Sequence, residues 1–227
     1  MARLVADGLR RKPDIVLGLP GGQTPVITYG ELRRLHASGE ADFSRATAFL
    51  LDEFAGLDGA HPGSFRRFLS EHLLSDINLD SARIHALSGV AVDAAVECFR
   101  YEEAIISAGG LDLLLLGIGT NGHVGFNEPG ATLQSRTHRV RLLESTRRDN
   151  AGLFGGDLNR VPTDALSMGM GTILRAEMIV LIATGERKAA AVERMIRGPL
   201  TTELPASFLQ LHRHVEVYLD RAAASAL

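Results

Sequence analysis

His123 sits in the run Gly117-Ile118-Gly119-Thr120-Asn121-Gly122-His123-Val124-Gly125-Phe126-Asn127-Glu128-Pro129, directly after the apolar residues Leu113 to Leu116. Imidazole is the side chain whose unperturbed pKa lies nearest neutrality, so a histidine at the end of a buried strand is suited to giving and taking protons. A nearby carboxylate, Glu128, can hold its orientation. A lone histidine is more often a satisfied structural residue. Here glycines stand on both sides of it and the polar run through Glu128 follows, which favours acid–base chemistry over packing.

Two further segments carry chemical groups. Leu50-Leu51-Asp52-Glu53-Phe54 places two carboxylates at the end of an apolar strand, where alternation turns neighbouring side chains in opposite directions. Asp52 is expected to face the pocket, and Glu53 to cap or pair structurally. Pro20-Gly21-Gly22-Gln23-Thr24-Pro25 follows a strand and precedes a helix, with Thr24 expected as the N-cap and Pro25 at the first helical position. Glycines let the backbone approach an anion, and the free amides of a helix start point at it, so Gly21, Gly22, Gln23 and Thr24 read as a phosphate cradle. This is neither a dinucleotide fingerprint nor a Walker loop, because no Lys-Ser/Thr follows the glycines. Metal ligation is not supported either. The remaining histidines are scattered at positions 36, 61, 72, 85, 138, 212 and 214 with no ligand spacing, so no metal and no cofactor is expected.

The elements that must position these groups follow from apolar periodicity. Strands are expected at Ile15–Leu19, Thr47–Leu51, Leu111–Gly117, Arg139–Leu143, Met178–Thr184 and Val215–Leu219. Helices are expected at Pro25–Ala37, Ser64–Leu74, Ala91–Ala108 and Arg187–Arg197, with a weaker helical pattern over Thr146–Phe154. Strand-length runs alternating with helical ones predict an α/β fold: a three-layer, Rossmann-like, mostly parallel sheet flanked by helices. Residues 1–227 read as one domain, since no linker or repeat divides them. Gly152–Pro162 has the composition of a turn or mobile loop, so a lid is expected around residues 142–165.

Composition bounds the function classes. With 45% hydrophobic residues and a formal charge of −3, and a mean hydropathy of +0.08, the chain can bury one sizeable core and offers no broad cationic surface. Neither nucleic acid nor membrane is an expected partner. No apolar segment approaches the roughly 18 residues needed to span a bilayer, and Cys98 is the only cysteine, which fits a reducing compartment. A soluble cytoplasmic protein is expected.

Taken in order, these segments resemble the glucosamine-6-phosphate deaminase (isomerase) family. Gly18–Pro25 looks like its phosphate loop, Leu51-Asp52-Glu53-Phe54 its proton-acceptor segment and Gly119–Pro129 its ring-opening motif. Ser135-Arg136-Thr137, Ala165–Leu174, the Lys188 region and Ser207–His212 extend the likeness over almost the whole chain. The resemblance implies conversion of glucosamine 6-phosphate or galactosamine 6-phosphate and water to a ketohexose 6-phosphate and ammonia, without metal or nucleotide. It assigns His123 to opening the sugar ring, Glu128 and Asn121 to tuning it, Asp52 to the C2 proton and Lys188 to the phosphate. Departures from the family are Gly21 and Gln23 in the loop, Asn121 where some members have Asp, and Gly152 where an arginine usually meets the phosphate. Arg147 or Arg148 is the expected substitute for that arginine. The family includes monomers, dimers and hexamers, so a homo-oligomer is compatible with the resemblance. Two competing readings are a 6-phosphogluconolactonase-type hydrolase and a non-catalytic sugar-phosphate sensor domain. Phe126-Asn127-Glu128-Pro129 argues against the first, and the joint presence of Asp52, His123 and Glu128 against the second.

Overall fold

Short runs of Val, Leu and Phe that are buried along their whole length can be accommodated only inside a sheet covered on both faces, and they form its centre here. In the computed structural model, which describes residues 1–227, the chain runs α1 (Ala2–Arg11), β1 (Val16–Leu19), α2 (Val26–Ala37), β2 (Thr47–Leu50), β3 (Asp52–Phe54), α3 (Phe65–His72), β4 (Ile84–His85), α4 (Ala94–Ser107) and β5 (Leu113–Leu116). It continues through β6 (His138–Arg141), α5 (Glu144–Asn150), β7 (Asp164–Ser167), α6 (Met170–Ile173), β8 (Met178–Ala183), α7 (Ala189–Arg197) and β9 (Val215–Leu219). Six strands pair in the order β4-β2-β1-β5-β8-β9, all parallel. One apolar cluster, containing Leu17, Leu50 and Leu115, packs on one face, and a second, containing Phe49, Leu114 and Leu181, packs on the other. The expected fold class is the observed one.

Parallel pairing brings the carboxyl ends of β1, β2, β5 and β8 to one edge, where an open α/β sheet places its ligands. Two buried tyrosines fix that edge: the Tyr29 hydroxyl donates to the Pro20 carbonyl and the Tyr101 hydroxyl to the Leu50 carbonyl, each at 2.6 Å. The first tethers the glycine loop. The second tethers the end of β2 just before Asp52.

The structure departs from expectation in several places, beginning with the short strands β3, β4 and β7, which were not expected. The strand expected at Arg139–Leu143 is β6, and it lies outside the parallel sheet, in a second, antiparallel sheet ordered β3-β7-β6. Its exposure alternates, as befits a strand with one solvated face. Thr24 does not cap α2: Pro25 occupies the cap position at φ −78° and no side chain bonds the first amides. Proline's fixed φ suits the helix entry without a hydroxyl. Finally, α1 was not expected, although Val5, Ala6 and Leu9 bury one face of it.

Candidate active site

Asp52 is the first residue of β3, at the point where the chain leaves the parallel sheet for the antiparallel one. Its partner across β7 is Ser167. The carboxyl lines a cavity of about 580 Å³, and its Oδ1 is buried without any hydrogen-bond partner. Burial, with a contribution from the charge of Glu53, pushes its pKa up to about 8. Glu53 points the opposite way, as alternation requires. It accepts the Ser64 hydroxyl at 2.6 Å and the amides of Phe54, Phe65 and Arg66 at 2.9, 3.1 and 3.1 Å. Burial raises the pKa of Glu53, against those bonds. It is a structural cap on α3, and Ser64 takes the N-cap place expected of it.

The run after β5 folds back on itself, with the Gly119 amide donating to the His123 carbonyl and the Gly122 amide to the Gly119 carbonyl. A Cβ at position 119 would lie 2.3 Å from the imidazole ring, and one at position 125, where φ is +58°, 3.0 Å from the Ser167 hydroxyl. Glycine is required at the first by space, and at the second by backbone conformation. His123 Nδ1 lies 3.2 Å from the Thr146 hydroxyl and 3.7 Å from Glu128 Oε2, which leaves Nε2 as the ring nitrogen available to the cavity. Asn121 braces the group from both ends: its Oδ1 accepts the His123 amide at 3.1 Å and its Nδ2 donates to Glu128 Oε2 at 2.9 Å. The other Glu128 oxygen accepts the Leu143 amide at 3.0 Å. Burial, and after it the Lys188 charge, lowers the His123 pKa to about 4, with Asp149 opposing both. The imidazole is therefore neutral at pH 7. Burial raises Glu128, against hydrogen bonds from Thr146, Leu143 and Asn121.

The glycine loop lines the same cavity. Gly21, Gly22, Gln23 and Thr24 line it, and their amides donate to no carbonyl of the chain, so the donors are free for a ligand. Lys188 lines it too. Burial lowers its pKa from the ordinary lysine value, and Asp149 counteracts this. Every residue singled out from the sequence as a site residue therefore reaches one cavity or, for Asn121 and Glu128, the histidine that lines it. The substitutes expected for the family's arginine do not. Arg147 donates to the carbonyls of Leu158 and Val161, and Arg148 pairs with Glu144 on the exposed side of α5. Gly152 itself is on the cavity wall.

Thr146, Tyr29 and Ser167 were missed from the sequence. Thr146 and Tyr29 sit inside helical patterns that give a hydroxyl no distinguishing mark, and Ser167 lies on a strand that was not expected. No three His, Cys, Asp or Glu side chains converge anywhere in the chain as a metal site would need.

Comparison with known proteins identifies the family. A protein named glucosamine-6-phosphate deaminase from Arthrobacter sp. (strain FB24) is 49% identical over 219 residues, covering 96% of this chain and 84% of that protein. Glucosamine-6-phosphate deaminase 2 of Bacillus subtilis (strain 168) is 47% identical over 227 residues, covering 100% of this chain and 91% of the relative. A solved structure described as a monomeric glucosamine-6-phosphate deaminase superposes with a TM-score of 0.96 at 43% identity, covering 100% of this chain and 93% of that one. The family described as glucosamine-6-phosphate isomerases/6-phosphogluconolactonase matches residues 1–219, and the chain belongs to it.

Proposed function

We propose that this chain is a glucosamine-6-phosphate deaminase, converting glucosamine 6-phosphate and water to fructose 6-phosphate and ammonia. The observation that carries the reading is the buried, unpartnered Asp52 carboxyl sharing one cavity with a braced, neutral His123 and a set of free backbone amides. The full-length likeness to relatives bearing that name supports it. Opening the pyranose ring requires a proton to leave the anomeric hydroxyl and one to reach the ring oxygen. A neutral imidazole can do both in turn through Nε2, while Thr146, Glu128 and Asn121 keep the ring in place. In the open aldehyde, Asp52 as carboxylate removes the C2 proton while the substrate's ammonium group gives one proton to the C1 carbonyl oxygen, and Asp52 then returns the C2 proton to C1. C1 becomes the alcohol carbon of a ketose skeleton, and C2 a protonated imine. Water adds to that imine and ammonia leaves. Oxidation at C2 balances reduction at C1, so no external electron acceptor takes part.

A carboxylate is a weak base for a carbon acid, so it must be held close and partly desolvated, as Asp52 is. Gly21 to Thr24 and Lys188 hold the phosphate at the other end. Residues 1–227 act as one catalytic unit in this reading. Residues 142–165 serve as its lid, with Phe154, packed on Phe54, as the buried anchor. The location is cytoplasmic; no helix is long and apolar enough to cross a membrane.

Purified protein is expected to release ammonia and form fructose 6-phosphate from glucosamine 6-phosphate. Asp52→Asn is expected to keep sugar-phosphate binding and lose at least about a hundredfold in kcat, the scale of a general base. Absence of ammonia release, alongside hydrolysis of 6-phosphogluconolactone, overturns the assignment.

A further inference from the structure

A hexose phosphate carries close to two negative charges at pH 7, and the reading above meets them with Lys188 and backbone amides alone. One other cationic side chain lines the cavity, Arg187. Its guanidinium pairs with Asp149 Oδ1, and the second oxygen of Asp149 accepts the Thr120 hydroxyl at 2.9 Å. This chain of contacts links the turn after β5, the helix α5 and the turn after β8, which are three walls of one cavity. The two ends of the ion pair differ: the Asp149 side chain is 18% exposed and that of Arg187 is 78% exposed. The carboxylate is fixed, therefore, and the guanidinium is the free end.

Resting on the sugar-phosphate reading, we propose that Arg187 is the second cation that binds the substrate's phosphate, and that Asp149 holds its guanidinium at the cavity mouth until the phosphate arrives. A guanidinium offers five donors in a planar fork, of which Asp149 engages one. The others are free for two-pronged contact with a phosphate, for which arginine is better shaped than lysine. An exposed ion pair contributes little stability, so transfer of the guanidinium to a dianion costs little. No other arginine is in a position to do this, since Arg147 is committed to carbonyls and Arg148 to Glu144. Asp149 also neutralises Arg187 in the empty cavity, which limits repulsion between Arg187 and its neighbour Lys188.

The test measures binding of inorganic phosphate by calorimetry, without turnover, so failure of this proposal is distinct from failure of the deaminase reading. Arg187→Gln is expected to weaken phosphate binding about tenfold, the loss of one charge-assisted contact. Arg148→Gln is expected to change it by less than about twofold. In steady-state assays Arg187→Gln should raise KM for glucosamine 6-phosphate by a similar factor, with kcat nearly kept. Asp149→Asn, which removes the competing carboxylate, is expected to tighten phosphate about threefold in the native background and by a clearly smaller factor beside Arg187→Gln, where only its field on Lys188 and the phosphate remains. Wild-type phosphate affinity in Arg187→Gln, or equal weakening in Arg148→Gln, overturns the binding role. An equal effect of Asp149→Asn in both backgrounds overturns the holding role.

Discussion

Burial moves Asp52 and His123 in opposite directions and leaves both uncharged in the empty cavity at pH 7. The acid is raised to about 8 and the base lowered to about 4, because in each case desolvation penalises the charged form. The cavity thereby avoids an unpaired buried charge, yet the proposed chemistry needs Asp52 as carboxylate. The cationic amine of the substrate favours that form once bound. In the free enzyme kcat/KM is therefore expected to rise with pH and level off above about 8, while kcat, which reports the bound complex, levels off at lower pH. A kcat/KM profile that is flat between pH 6 and 9 rules out Asp52 as the titrating base. Phosphate bound beside Lys188 would cancel one cause of the His123 depression, so substrate arrival itself moves the imidazole toward the range where a proton shuttle works. Among these groups His123, Asp52 and Glu128 were legible because their residue types announce proton chemistry at a strand end. Thr146, at 3.2 Å from the same imidazole, was not: only the packing of α5 against the turn brings it there.

The junction of β2 and β3 sends one carboxyl into the site and one into the scaffold. One strand length of apolar residues ends at Leu51, and the next two side chains diverge, Asp52 into the cavity and Glu53 onto the start of α3. That divergence was readable from alternation alone. The sheet that β3 joins was not, because Asp52–Phe54 is three residues long and its partner, Ala165–Ser167, lies far along the chain. Pairing across such separations leaves no local pattern. The Thr24 cap failed for a local reason, since Pro25 with its fixed φ makes the helix entry by itself. At this scale Glu53 is expected to be structural. Glu53→Gln keeps the shape but replaces an acceptor with a donor facing amides that also donate. Leaving such buried donors unpaired costs on the order of 2 kcal/mol or more, or a Tm about 5 °C lower in a chain of this size. Thermal unfolding checks this, and an unchanged Tm removes Glu53 from the scaffold.

Across the whole molecule, the same burial that prepares Asp52 for chemistry works against stability at neutral pH. The carboxyl has a pKa near 3.9 in an unfolded chain and about 8 when folded, so the folded protein holds the proton more tightly. A raised pKa of this kind contributes stability that is fully present below pH 3.9 and is lost progressively as pH rises through 8. An amide at position 52 does not titrate, so Asp52→Asn avoids that loss. His123 acts in the opposite sense: its lowered pKa gives stability above about pH 6.5 that disappears as pH falls through 4. That contribution is common to both proteins and cancels in the comparison. The Tm of Asp52→Asn is therefore expected to exceed that of the native chain by a margin that grows from pH 4 to pH 8 and is constant above it. At about 1.4 kcal/mol per pH unit for an ideal single group, the growth is on the order of 3 °C per unit, and an inactive variant more stable than the native enzyme is the usual mark of a site held in a costly environment. Scanning calorimetry of both proteins between pH 4 and pH 9 measures the margin. If it is constant or shrinks with pH, Asp52 is not the buried, high-pKa acid on which the proposed mechanism depends.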